Sequence, residues 1–319
     1  MGKPKYKQTV TRLLKDDARK FFAHYDNNKT RSRYVNNYFK FIEFCRSEYS
    51  CKTKEECAAH IQDYEASIES QGFTASTIHN RLAPVCIYHN INLSEIQKPK
   101  RAVSEYTRGR KNNRTITPNS DMDNPRYARS ILLQKRVGIR RNELRKLTGN
   151  DFVLDESGQP CVRVKRGKGG KMQLQRILPE DVAIIEDYFK GKQPDERIFG
   201  AKEISGNNIN YHYLRAKQAQ RAYSYYLNRL SDEGYREQLI QEIQQRASAY
   251  RRDGKTGKPI PISKNELTGY YWLRGKNKQF AIKNELSVKY DRLAVMAVSI
   301  FHLSHWRADV TIASYLLVV

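Results

Sequence analysis

The chain has 319 residues, with 58 Lys plus Arg against 34 Asp plus Glu and a formal charge of +24. At about 100–200 residues per domain, this length predicts two or three domains, each able to bury its own core. With 39% hydrophobic and 11% aromatic residues the chain is too apolar for a disordered tail, yet it has no apolar run of the roughly 18 residues that a membrane span needs. The positive balance points to a polyanionic partner, DNA or RNA before an anionic membrane, because cations that neutralise phosphates release condensed counterions. Plain solvation of the surface is the competing explanation.

Residues 1–20 are polar and basic, without the apolar centre of a secretory signal, and Tyr6 stands where a myristoylation signal needs Ser or Thr. The five cysteines, Cys45, Cys51, Cys57, Cys86 and Cys161, form no Cys-x-x-Cys pair, so they predict reduced thiols in a cytoplasmic protein.

A helix is expected over about 13–22. Tyr34, Tyr38, Phe41, Ile42 and Cys45 fall on one face of a second over 30–48, with Thr30 as its N-cap. A third is expected over 54–70. A fourth starts at the cap Thr74 and buries Ile78, Leu82, Val85 and Cys86, with Pro84 bending or breaking it. Residues 1–100 therefore read as an all-helical domain. Lys98, Lys100, Arg101, Arg108, Arg110, Lys111 and Arg114 then face a single acid, Glu105. This stretch reads as a basic linker, centred on 101–120, that can lie along a phosphate backbone or simply be solvated.

From 121 onwards a mixed domain is expected. Helices are read over 126–138 and 141–147, then a β-hairpin with strands 160–165 and 171–178 around a Gly-Lys-Gly-Gly turn at 167–170. Further helices are read over 180–190, 208–230 and 235–250. The last of these carries Leu239, Ile240, Ile243 and Ala247 on one face and lies in a helical insertion near 231–260. Two more helical segments end in the apolar run 293–303. The fold class predicted is α+β, predominantly helical, with a small antiparallel sheet.

Metal and nucleotide sites are weakly signalled. His302 and His305 are three apart but lack an acidic or thiol partner at ligand spacing, and the 167–170 turn lacks the order of a P-loop. What remains is an ordered set: Gly138-Ile139-Arg140-Arg141-Asn142-Glu143-Leu144, Lys168 in its turn, His212-Tyr213-Leu214-Arg215, Leu303-Ser304-His305, and Tyr315 ten positions on.

With these residues the chain resembles the tyrosine recombinases, whose pattern is Gly-Leu-Arg-x-x-Glu-Leu, a hairpin lysine, His-x-x-Arg, Leu-Gly-His and a Tyr. Ser304 departs from it, standing where the family usually has Gly. Gly72-Phe73-Thr74-Ala75-Ser76-Thr77-Ile78 resembles the family's all-α, SAM-like core-binding domain, and the nearest likeness is to integrases of bacterial conjugative elements and phages. The resemblance implies a site-specific recombinase that cuts DNA through a 3′-phosphotyrosyl link without metal, ATP or other cofactor. It implies Tyr315 as nucleophile, Arg140, Arg215, His212 and His305 around the scissile phosphate, and Lys168 as general acid. Lys165 and Lys171 would touch backbone phosphates beside the linker cations. The implied assembly is a homotetramer on double-stranded DNA, with accessory bending or excision proteins, in the bacterial cytoplasm.

The chemistry fits on its own terms. Attack on a phosphodiester builds charge on nonbridging oxygens, which two permanently charged guanidinium forks can hold. A phenol, with an ordinary pKa of about 10, needs cationic neighbours or a base to become a nucleophile. Alternatives stay open: Arg141 competes with Arg140, and Lys165 and Lys171 compete with Lys168. Tyr271-Trp272-Leu273-Arg274 rivals the box at 212–215, and His302 rivals His305. The apolar Leu316-Leu317-Val318-Val319 can dock on its own unit or on a neighbouring copy. A type IB topoisomerase, or a DNA-binding protein that keeps the fold without the activity, are the other functional readings.

Overall fold

The computed structural model describes residues 10–101, 121–165, 167, 172–253 and 256–318. The chain divides into two compact units, Met1–Ala102 and Val103–Val319. As the sequence predicts, the fold is predominantly helical α+β. No helix of the described residues is long and apolar enough to cross a membrane.

The described part of the first unit is all-helical: α1 (Val10–Phe21), α2 (Asn28–Tyr49), α3 (Lys54–Ala58), α4 (Ile61–Ser70) and α5 (Ala75–Tyr88). Phe22, Tyr38, Phe41, Ile42 and Leu82 are among its fully buried residues, with Cys45, Cys57 and Cys86 between them. Three expectations are corrected. The N-cap of α2 is Asn27, whose Oδ1 accepts from the amides of Lys29 and Thr30, so Thr30 lies inside the helix. The expected 54–70 helix is two helices, because His60 leaves helical geometry and stacks on Tyr49 with ring centroids 3.6 Å apart. Pro84 does not break α5. The carbonyl that its missing N–H leaves free, that of Asn80, accepts instead from Asn37 Nδ2 at 2.9 Å. Thr74 caps α5 as expected.

In the described part of the second unit, two 3-10 turns precede α6 (Ala128–Val137) and α7 (Arg141–Leu144), then β1 (Phe152–Leu154), β2 (Pro160–Val164) and β3 (Gln173–Arg176). The three strands form one antiparallel sheet with Phe152 opposite Val162 and Val162 opposite Gln175. There follow α8 (Val182–Asp187), α9 (Ala201–Ile204), α10 (Tyr211–Arg229) and α11 (Glu233–Tyr250), then α12 (Lys264–Leu267), β4 (Tyr270–Trp272), α13 (Gly275–Lys283), β5 (Lys289–Asp291), α14 (Arg292–Ala297) and α15 (Ala308–Thr311). The material between α10 and α14 is thus not helical alone, since β4 and β5 pair as a second antiparallel sheet. Single π-helical turns, Val298–His302 and Ile312–Leu316, follow α14 and α15.

Two apolar cores fill this unit, one under α6, the first sheet and α8, the other under α10, α11 and α14. Helix α10 belongs to both: Tyr211 and Leu214 enter the first core, Ala219, Ala222 and Tyr226 the second. The side chains at 212 and 215 therefore sit where one core gives way to the other. All five cysteines are buried free thiols.

Candidate active site

Helix α6 ends at Gly138, which takes φ +67° and lies so close to α10 that a Cβ there would come within 3.2 Å of Gln218 Cβ. Both facts favour glycine. Beyond the buried Ile139 the backbone of Arg140 is extended and opens α7. Glu143 fixes this turn: its carboxylate accepts from the Arg140 amide at 2.9 Å and from Nη1 at 2.6 Å. Gln173 Oε1 on β3 also accepts from Nη1, at 3.4 Å. The Arg140 side chain remains about 30% exposed.

On α10 the i, i+3 spacing puts His212 and Arg215 on one face, beginning from an Asn210 cap. Arg215 is 1% exposed and joins three segments. Nη1 donates to the Gly138 carbonyl and, at 3.4 Å, to Gln175 Oε1, while Nη2 donates to the Leu303 carbonyl at 2.8 Å. Its Nε–H has no partner. Burial pulls this guanidinium's pKa down, and the neighbouring Tyr315 phenol and Glu143 carboxylate pull the other way. Arg140, His212 and Arg215 open onto one cleft of about 270 Å³.

The loop after the first π turn carries His305. Ser304 adopts φ +52°, and the His305 amide reaches back to the Ser299 carbonyl at 2.8 Å, a left-handed helix stop widened by the π turn. Ser299 Oγ donates to the His305 carbonyl, so it accepts from His305 Nδ1–H at 3.1 Å and from the Arg307 amide at 3.1 Å. That assignment leaves the Nε2 lone pair of His305 bare, and Nε2 is buried without a partner. Burial, then Arg215 and Arg140, push the His305 pKa down to about 3 and that of His212 to about 4, so both rings are neutral at pH 7.

Tyr315 lies in the second π turn, 8% exposed. The His212 ring meets it edge-on with centroids 5.1 Å apart, His305 lies at 5.9 Å, and the Arg215 guanidinium is 5.7 Å from the ring centre. Of the apolar residues after it, Leu316, Leu317 and Val318 dock on their own unit. Leu316 and Val318 give their carbonyls to Gln220 Nε2 at 3.1 and 2.6 Å, and Leu317 is fully buried.

The structure thus brings together Arg140, His212, Arg215, His305 and Tyr315. His302 is elsewhere: fully buried, its Nε2 meets the Tyr226 hydroxyl at 3.1 Å and its Nδ1 meets Gln218 Nε2 at 3.3 Å. The rival box is also apart, with Tyr271 under the Arg292 guanidinium at 5.2 Å and Arg274 exposed at the start of α13. Lys168 and Lys171 lie outside the described residues, as do Arg108, Arg110, Lys111 and Arg114.

Two of the lysines expected at backbone phosphates have partners within their own unit. Lys165 Nζ, on a side chain 44% exposed, donates to Asn150 Oδ1 at 2.8 Å and Thr148 Oγ1 at 3.0 Å, with Asp151 at 3.7 Å. Lys98 Nζ is likewise held by the carbonyls of Leu93 and Ile96. Lys100 and Arg101 are exposed. The sequence reading gave no role to Glu143, Gln175 or Ser299, the groups that orient Arg140, Arg215 and His305. Glu143 was signalled by its three-residue spacing from Arg140; the other two carry no local signal. No group of three or more His, Cys, Asp or Glu side chains able to hold a metal occurs among the described residues.

No protein-family model matches the chain, and no curated protein does. Among solved structures it is similar to the XerA recombinase, at 15% identity and a TM-score of 0.22 over 66% of this chain and 84% of that one. It is also similar to the integrase from mycobacterium phage Brujita, at 16% identity and a TM-score of 0.22 over 66% of this chain and 78% of the integrase.

Proposed function

We propose that the chain is a site-specific DNA recombinase of the tyrosine-nucleophile kind, serving the integration or excision of a mobile element. One observation carries the reading: two histidines and a buried arginine surround the Tyr315 ring beside a cleft that Arg140 also lines. Binding alone needs no such arrangement.

In this reading a DNA phosphodiester enters the cleft with its nonbridging oxygens between Arg140 and Arg215, whose charge is fixed before the reaction begins. The Tyr315 oxygen attacks phosphorus and forms a phosphotyrosyl bond to the 3′ strand. The bond from phosphorus to the 5′ oxygen breaks, and that oxygen takes a proton from Lys168. The phenolic proton passes to a base, and the bare Nε2 of His305 is the one presented by the tautomer that Ser299 imposes; the negative charge of the bound phosphate offsets the Arg215 and Arg140 charges that, after burial, depress this ring, and so raises its basicity. Attack by a different 5′ hydroxyl reverses the steps and joins a new partner, the ester bond energy being kept throughout. Four copies acting on two duplexes complete the exchange, aided by accessory proteins.

The test uses a pool of nicked duplexes with a randomised centre, incubated with wild type and with Tyr315→Phe and resolved under denaturing conditions. Wild type is expected to yield a protein–DNA adduct and the variant none. A wild type that never forms an adduct refutes the enzymatic reading, and an adduct on the variant refutes the nucleophile assignment alone.

A further inference from the structure

The segment between α10 and α14 is not used by the chemistry above, yet it is built as carefully as the site. Its β4–β5 pair is anchored at several points. The Leu273 amide donates to the Val288 carbonyl at 2.9 Å, the Arg292 amide to the Gly269 carbonyl at 3.0 Å, and the Asp291 amide to the Tyr223 hydroxyl of α10 at 3.0 Å. Asp291 also caps α14. On the inner face Tyr290 is buried and Tyr271 half-buried against the second core.

The outer face is the reverse of what solvation predicts. Strand alternation points Tyr270 and Trp272 outward together, about 7 Å apart along the strand, and they are 48% and 63% exposed. Lys289, paired in register with Trp272, sets its ammonium 4.9 Å from the Tyr270 ring and 5.9 Å from the Trp272 ring. Around them the sequence from 270 to 292 carries Arg274, Lys276, Lys278, Lys283, Lys289 and Arg292 against Glu285 and Asp291, and Asp291 is buried as the cap of α14. Trp and Tyr also anchor protein interfaces, so it is the positive charge gathered around the two rings that selects a polyanion over a protein groove. Two open aromatic faces among cations match a ligand that has both π-faces and phosphates. In a duplex the base faces are already stacked on each other, so the matching ligand is unpaired.

We propose that the outer face of β4–β5 is a stacking platform for single-stranded DNA, with Trp272 and Tyr270 taking base faces and Lys289 and its neighbours the backbone. The proposal rests on the recombinase reading only in taking DNA as the nucleic acid. Unpaired bases are what a strand-exchanging enzyme generates or receives beside its cut, so the platform would hold a displaced or extrahelical segment.

Trp272 and Trp306 are the two tryptophans of the chain, so full-length protein carrying Trp306→Phe reports from Trp272 alone. Titration with an oligothymidylate of about 12 nucleotides is expected to quench this emission. In an otherwise wild-type chain, Trp272→Ala is expected to weaken oligothymidylate binding about tenfold while changing duplex binding less than about twofold, and Trp272→Phe, which keeps a ring, is expected to stay within about threefold of wild type. Unquenched emission at saturating oligothymidylate overturns the proposal. So does a Trp272→Ala chain that binds the oligonucleotide as tightly as wild type, or that loses duplex and single-strand affinity by the same factor. Quenching by an acidic protein partner but not by oligothymidylate would make the face a protein dock and equally overturn it. The adduct assay with Tyr315 is read separately, so failure of the recombinase reading and failure of the platform give different patterns.

Discussion

Arg215 ties together the segments around Tyr315. Its three hydrogen bonds join the end of α6, strand β3 and the loop before His305, and only the remaining edge faces Tyr315. Lysine at this position keeps the charge but cannot span three acceptors. Arg215→Lys is expected to slow adduct formation about 100- to 1,000-fold, the usual cost of losing a preorganised donor to the transition state. Helical circular dichroism should persist and, under the proposed function, duplex affinity should change little, since other cations would hold the flanking backbone. Cleavage within tenfold of wild type would remove Arg215 from the proposed chemistry. Ser304 makes a second case. Its left-handed backbone and its buried, unpartnered hydroxyl are both unfavourable for a serine. Ser304→Gly is therefore expected to stabilise the fold by about 1 kcal/mol, read as a rise in the thermal midpoint of about 2–4 °C. These residues show what the sequence carries. Arg140, Arg215, His305 and Tyr315 are legible because motif spacing is local, and the oddity of Ser304 is legible as a departure from glycine. The tautomer of His305 is not, because it depends on Ser299 folding back across a π turn, a geometry with no signature in composition.

At the scale of elements, the long helices α2, α5, α10 and α11 follow from apolar periodicity and caps, whereas β1, β4 and β5 are three residues each, too short for an alternation to declare itself. Pro84 misleads for a tertiary reason: a side chain from α2 satisfies the carbonyl that proline frees. The attachment of α11 is likewise invisible in sequence. Arg176 on β3 donates to Asp155 at 2.8 Å and to Glu242 of α11, and Arg246 of α11 donates to the same Asp155 oxygen at 3.3 Å. Burial alone would raise the Asp155 pKa, but Arg176 and the amides of Gln159 and Ser157 hold it below the usual carboxylate range. Asp155→Ala would leave two enclosed guanidinium groups without this counter-charge, and breaking a buried ion network costs about 3–5 kcal/mol. The expected result is a lower urea midpoint with unchanged slope; a loss below about 1 kcal/mol would mean that water already screens the network.

Over the whole molecule the +24 charge divides into arginines held inside, such as Arg176 and Arg215, and an exposed remainder that includes Lys100 and Arg101. Under the proposed function the remainder sets affinity. Tyr315→Phe should therefore bind duplex DNA with an affinity that falls linearly on a log–log plot against salt, and salt-insensitive binding would return the charge to mere solvation. The inner charges have a different consequence, in pH. His302 and His305 are pushed down to about 3 and His212 and His89 to about 4, burial being the largest cause for each. Arg176 adds to the shift at His302, and Arg215 and Arg140 add to it at His305. An unfolded histidine titrates near 6.5, so between that value and about 4 the unfolded chain binds protons that the folded chain refuses. Stability is then complete above about pH 6.5 and falls as the pH drops through this window, by at most about 1.4 kcal/mol per pH unit for each buried ring. Depressed carboxylates such as Asp155 act in the same direction but only below the carboxylate range, which leaves pH 6.5–4.5 to the histidines. Thermal midpoints are expected to be level from pH 8 to 7 and to descend steadily towards pH 5. His302→Gln, which keeps a polar group opposite Tyr226, should make that descent shallower by about one proton's worth. A midpoint that stays level down to pH 5 would mean that these rings accept protons in the folded state as readily as in the unfolded one.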